Sequence, residues 1–148
     1  MKVESLGAIT VNVKNLDEAI KRFSDVLGLK FVKIEGPGPQ KTVLDESYRA
    51  LEETKTRIAF DEAGYFELME STPPVQKEGL RSIHFKVKDI EAAKKELAQK
   101  GMHLVTDVID PPKGFKEAVF DTDDLYGVRL CLVEYKGKSV VKCLNKKV

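Results

Sequence analysis

The strongest constraint on the fold is a motif that occurs twice. Residues 8–21 read AITVNVKNLDEAIK and residues 82–95 read SIHFKVKDIEAAKK. Aligned without a gap, Ile9 falls on Ile83, Val11 on Phe85, Val13 on Val87, Asn15 on Asp89 and Ala19 on Ala93. The first half of each copy alternates apolar and polar side chains, the period of a half-buried strand. The second half carries apolar residues at helical spacing: Leu16, Ala19, Ile20, Phe23 and Leu27 in one copy, Ile90, Ala93 and Leu97 in the other. Asn15 and Asp89 stand at the junctions as N-caps, and Glu18 gives the first a capping-box pattern. Gly28 and the Lys100–Gly101 pair stand where each helix must end. Repetition of punctuation as well as letters predicts a duplicated supersecondary unit.

Strand-like sequence follows each helix. LKFVKIE (29–35), TRIAFDE (56–62) and YFELME (65–70) follow the first; MHLVTDVI (102–109), KEAVFDT (116–122) and VRLCLVEY (128–135) follow the second. The expected class is therefore α+β: two repeated βαβββ modules forming a cupped, partly open, eight-stranded barrel-like sheet. Its helices would pack on the outer faces and leave the inner faces for a ligand. The expected boundaries are about 5–72 for module one and 79–135 for module two, with a basic tail at 136–148, all in a single domain over 1–148. Module one is longer by the segment EGPGPQKTVLDESYRALEETK (35–55), in which DESYRALEE reads as a short helix. Such an insertion is expected either to cover the mouth of a pocket or to be a plain surface loop.

Composition narrows the partners. With 25 basic and 24 acidic residues the formal charge is +1, which gives no global attraction to nucleic acid or to a membrane surface. No apolar run approaches the ~20 residues that span a bilayer, and the N-terminus lacks the apolar core of a signal peptide. Two cysteines, Cys131 and Cys143, make neither a disulfide framework nor a paired-thiol metal motif. A cytoplasmic protein is expected, with no nucleic-acid or membrane partner. The five lysines between Lys136 and Lys147 are expected to form a solvated, frayed terminus.

Strand alternation assigns the cup lining. It sends Ala8, Thr10 and Asn12 inward from the first strand, and Tyr65, Glu67 and Met69 from YFELME. Ser82, His84 and Lys86 come from the second module's opening, and Arg129, Cys131 and Val133 from its closing strand. Lys86 and Arg129 suit an anionic ligand, unless they reach outward to solvent. Glu67 and His84 are the catalytic candidates, as an acid/base pair. The plainer alternative is that His84 lines the pocket, hydrogen-bonded to Glu67 or to water. Cys131, between Leu130 and Leu132, reads as a packing residue before a nucleophile, and His103 as structural or solvent-facing.

The stretches AITVNVKNLDEAIKRFSDVLGLKFV, GLRSIHFKVKDIEAAKKELAQKG and GVRLCLVE are similar to the vicinal oxygen chelate superfamily, the glyoxalase/bleomycin-resistance/extradiol-dioxygenase group. The resemblance covers essentially the whole chain, and FDTDDLYGVRLCLVE leans toward methylmalonyl-CoA-epimerase-like members. It implies paired βαβββ modules, often in a dimer. It also implies a divalent metal held by first- and last-strand side chains and acting as a Lewis acid. The family's ligand positions fall on Ala8, Glu67, Ser82 and Cys131, where only Glu67 is a strong oxygen donor. The expectation is a homodimeric glyoxalase/bleomycin-resistance-like protein with a degenerate metal site, binding a small molecule, an anionic one among the options, with no cofactor. The alternative is a metal-dependent epimerase, lyase or dioxygenase with a displaced divalent metal, held by Glu67 with His84 or Cys131. Whether the protein is an enzyme stays open at this point.

Overall fold

The structure, a computed structural model, describes residues 1–146. Module one contributes β1 (Val3–Val13), α1 (Leu16–Leu27), β2 (Phe31–Ile34), β4 (Lys55–Asp61) and β5 (Phe66–Thr72). Module two contributes β6 (Gly79–Val87), α3 (Ile90–Gln99), β7 (Leu104–Asp110), β8 (Phe115–Phe120) and β9 (Leu130–Glu134). The insertion adds β3 (Gln40–Val43), a single 3-10 turn at Glu46–Tyr48 and α2 (Arg49–Glu52). Val140–Leu144 form a last helix, α4.

Both helices of the repeat begin and end as their sequences dictate. The Asn15 side chain accepts from the Glu18 N–H at 3.0 Å, and that of Asp89 from the Ala92 N–H at 3.1 Å. Gly28 closes α1 in the left-handed conformation at φ 68°, with its N–H on the Ser24 carbonyl. Leu16 is fully buried, with Ala19, Ile20 and Phe23 packed beside it against Ala59, Leu68 and Phe66. Leu27 departs from the expected stripe: it is 51% exposed, because the chain turns away from the sheet at Gly28. In α3, Ile90, Ala93 and Leu97 are buried against Val87, Ala118, Phe120 and Leu132. Each fully buried aliphatic or aromatic side chain stabilises the fold by about 1.5–3 kcal/mol.

The strands form a strongly curled open half-barrel in the order β2-β4-β5-β1-β6-β9-β8-β7-β3. Within each module the first and last strands are parallel neighbours, β1 with β5 and β6 with β9. The modules join where β1 meets β6 antiparallel, pairing Ala8 with His84 and Thr10 with Ser82. Repeat-equivalent positions therefore cross over: Ala8 matches Ser82 in sequence but faces His84 in space.

Two expectations need correction. The sheet has nine strands, not eight, because β3 of the insertion pairs antiparallel with β7 of the other module (Val43 with Thr106, Gln40 with Ile109). β2 and β3 are thus the two edges of the sheet, joined only by Glu35–Pro39. That linker holds the edges within about 20 Å of each other, the reach of six extended residues.

The second correction concerns the tail. Instead of fraying, α4 buries Val140, Val141 and Cys143 in a cluster with Ala8, Phe60, Phe115, Val133 and Tyr135. An apolar pair beside a Ser139 cap, which accepts from the Lys142 N–H at 3.1 Å, outweighs the surrounding lysines. Lys147 lies outside the described residues. No helix among the described residues is long and apolar enough to cross a membrane.

Candidate functional site

The inner face of the half-barrel encloses a cavity of about 200 Å³, whose lining includes the linker residues Gly36–Pro39 and Val140 and Leu144 of α4. Of the residues that alternation sends inward, Ala8, Glu67, Met69, Ser82, His84, Arg129, Cys131 and Val133 line it. Thr10 is fully buried and joins two of them. Three others do not reach the cavity. Tyr65 is 61% exposed, since it precedes the first residue of β5 and lies in the turn after Gly64. Lys86 is turned to the end occupied by the C-terminal segment, with its ammonium 4.2 Å from the Tyr135 ring centre and donating to the Gly137 carbonyl. Asn12 accepts from Arg81 at 3.3 Å and lies outside the lining.

His84 is the hub of the polar floor. Its Nε2 lies 2.9 Å from Thr10 Oγ1 and 3.1 Å from Ser82 Oγ, and its Nδ1 lies 3.3 Å from a Glu117 carboxyl oxygen. Thr10 donates its one hydroxyl proton to Glu67 Oε1 at 2.6 Å, so its oxygen is left to accept from an Nε2–H. Burial, reinforced by the charge of Glu67, pushes the Glu117 carboxyl above the usual carboxylate range, against the pull of His84. An Nε2–H on His84 faces both Thr10 and Ser82, which leaves Nδ1 toward Glu117. Thr10 thus links His84 to Glu67, and Glu117 stands on the other side of the ring.

Glu117 is absent from the residues assigned inward from sequence, yet its signal is there. The alternation of β8 sends Phe115, Glu117 and Val119 to the cavity and Ala118 and Phe120 to the α3 side. Only the place of β8 beside β9 brings it to His84, through the pairs Val119–Cys131 and Cys131–His84. Arg81 was hidden differently. A register shift in β6 opposite Thr10 and Val11 turns Arg81 inward together with Ser82, against strict alternation.

On the same strand as His84 and just before its neighbour β9, the wall also carries Arg81 and Arg129, whose side chains are each 8% exposed, and Arg129 is ion-paired with Glu52 of α2. Arg81 lies 4.0 Å from the same carboxylate. Burial, with Arg129 alongside, lowers the Arg81 guanidinium from its ordinary value. No periodicity marked Glu52, which sits in the insertion and is only 3% exposed. His103, by contrast, is solvent-facing as expected. It pairs with Asp124 at 2.7 Å, and that hydrogen bond raises its pKa.

The family's four metal positions do not fit a metal here. Ala8 offers no donor, Ser82 is bonded to His84, and Glu67 is held by Thr10. Burial pushes the Cys131 thiol well above its ordinary range, with Glu117 adding to the effect. A different trio does converge: donor atoms of His84, Glu117 and Cys131 lie within 4.8 Å of one another. Nitrogen, oxygen and sulfur together suit zinc in type and number.

Comparison with known proteins agrees with this architecture. Residues 5–132 match the Glyoxalase/Bleomycin resistance protein/Dioxygenase superfamily. A variant of Streptomyces coelicolor methylmalonyl-CoA epimerase in complex with 2-nitronate-propionyl-CoA is 18% identical, with a TM-score of 0.68, covering 92% of this chain and 100% of that one. The epimerase from Mycobacterium tuberculosis is 18% identical, with a TM-score of 0.63 over 92% of this chain and 91% of its own. A hypothetical protein from Bacillus halodurans C-125 is 22% identical, with a TM-score of 0.66 over 91% and 96%. No curated protein sequence matches. At these identities the structural likeness shows the fold alone. With the duplicated modules, the curled sheet and the match over residues 5–132, the chain belongs to the Glyoxalase/Bleomycin resistance protein/Dioxygenase superfamily.

Proposed function

We propose that the cup binds a small organic molecule without a metal at the family's usual positions. The observation that carries this reading is the cavity of about 200 Å³ itself, bounded by Ala8, Ser82 and Cys131 where relatives would need strong ligands. Its apolar wall includes Ile58, Phe60, Phe115 and Val119, which desolvate a carbon skeleton, while His84 and Glu117 meet its polar atoms. The reading predicts that EDTA-treated protein, screened by thermal shift against small organic acids, alcohols and amides, gains stability with at least one of them. Met69→Trp, which fills the cavity from its wall, is expected to abolish that gain while the protein stays folded. A screen in which stabilisation requires added metal would defeat the reading.

A second reading is favoured by the convergence of His84, Glu117 and Cys131. These residues would hold a divalent ion beside the cavity, and the ion would supply Lewis-acid polarisation of a substrate oxygen. The family's epimerase-like structures make an isomerase, lyase or dioxygenase the natural class, and Glu67 would act through Thr10 and His84 as a proton reservoir. Its expected result is one zinc per chain by elemental analysis, with a melting temperature that rises on zinc addition. His84→Ala and Glu117→Ala should each abolish the rise. A melting temperature indifferent to zinc, nickel, iron and manganese would exclude this reading.

A further inference from the structure

We infer that Arg81 and Arg129 form a carboxylate-recognition subsite on the cavity wall, with Glu52 of the inserted helix as the counter-ion that holds the pair in position. The inference rests on the cup binding a small molecule, and it names the chemistry of that molecule.

Three observations converge on it. Arg129 lines the cavity, is 8% exposed, and uses only Nη2, on Glu52. Its Nε and Nη1 are buried with no hydrogen-bond partner among the described residues. A guanidinium donates five N–H bonds in a fixed fork, and leaving buried donors unmet is costly. Arg81 lines the same wall and donates Nη1 to Asn12 at a long 3.3 Å, with its Nη2 4.0 Å from Glu52. Two buried cations therefore share one carboxylate, an arrangement with spare donors and spare positive charge.

The other acidic groups act on the two guanidiniums through space, Glu67 on Arg81 and Glu117 on Arg129, and make no ion pair with either among the described residues. Glu67 accepts from Thr10 and Glu117 faces His84, both at the floor. A planar carboxylate presents two oxygens that match the arginine fork, which a point cation such as lysine would not select. The remainder of such a ligand would extend over Phe60, Phe115 and Val119 toward His84. Tyr48 supports the geometry from outside, with its ring centre 6.0 Å from the Arg129 guanidinium and its hydroxyl on Asp121 at 2.8 Å. The insertion thus contributes to recognition, through Glu52 and Tyr48.

The test compares benzoate with benzamide, a matched pair of one shape differing in charge, on the EDTA-treated full-length protein. Binding is read from amide chemical-shift changes of cavity residues. Benzoate is expected to bind at least about tenfold more tightly than benzamide, the size of one charge-assisted hydrogen bond. Arg81→Gln should reduce that preference, and the triple variant Arg81→Gln/Glu52→Gln/Arg129→Met, which removes both guanidiniums together with their shared counter-ion, should erase it. Equal affinities for the two compounds in the native protein, or a preference that survives in the triple variant, overturns the inference. Benzamide binding as well as benzoate would overturn it while leaving the small-molecule reading intact. If neither compound shifts a cavity resonance at millimolar concentration, the carboxylate subsite is refuted, and the small-molecule reading is then judged by the thermal-shift screen alone.

Discussion

Arg129→Met is expected to destabilise the fold by about 3 kcal/mol, at the low end of the 3–5 kcal/mol typical when one member of a buried ion pair is removed. The loss comes chiefly from Glu52, which would be left ionised at 3% exposure with its short partner gone. Arg81, 4.0 Å away, is near enough to take up part of that charge, which is why the low end is expected. Adding Glu52→Gln removes the stranded carboxylate but also takes the nearest counter-ion from Arg81, so only part of the stability should return. Urea denaturation of the native protein and of the single and double variants completes the cycle. If Arg129→Met is as stable as the native protein, the pair is not the fastening of the insertion that its burial indicates.

Phe120→Ala is expected to remove about 3–5 kcal/mol, the usual cost of emptying a buried aromatic site. Phe120 is 1% exposed and sits at the centre of the cluster that joins α3 to β8 and β9. The cluster around it draws Val87 from β6, Ile90 and Leu97 from α3 and Leu132 from β9, so the void has no single flexible side chain to fill it. The same β8 carries Glu117 on its other face, so the substitution should also loosen the contact between Glu117 and His84. A chemical-denaturation midpoint close to that of the native protein would show that the site collapses without cost.

The candidate site was partly legible from alternation. Ala8, Glu67, Ser82, His84 and Cys131 do line one cavity, as alternation along their strands assigns them, even though the β1–β6 pairing shifts register beside Ala8 and Ser82. Tyr65 and Lys86 were misassigned for a physical reason that alternation does not contain. The first stands before the strand begins, and the second faces an end already filled by Tyr135 and the C-terminal segment. Arg81 escaped through a register irregularity. Glu117 was readable as an inward residue of its own strand, but its meeting with His84 depends on strand order. The missing ligands at Ala8 and Ser82 were visible because the repeat brings equivalent positions into register, whereas the trio of His84, Glu117 and Cys131 spans three strands far apart in sequence.

By itself the sequence determined the two modules, their caps, their helix ends and the apolar faces beneath α1 and α3. These follow from local periodicity and from side chains that bond within a few residues of themselves. The tertiary structure alone decided that the insertion supplies a ninth strand to the far edge of the sheet, that Glu52 meets Arg129, and that the basic tail buries a helix in the cup. Each of these joins residues tens of positions apart, and no local pattern encodes a partner at that distance. They are settled by which surfaces remain to be covered once the curled sheet has formed.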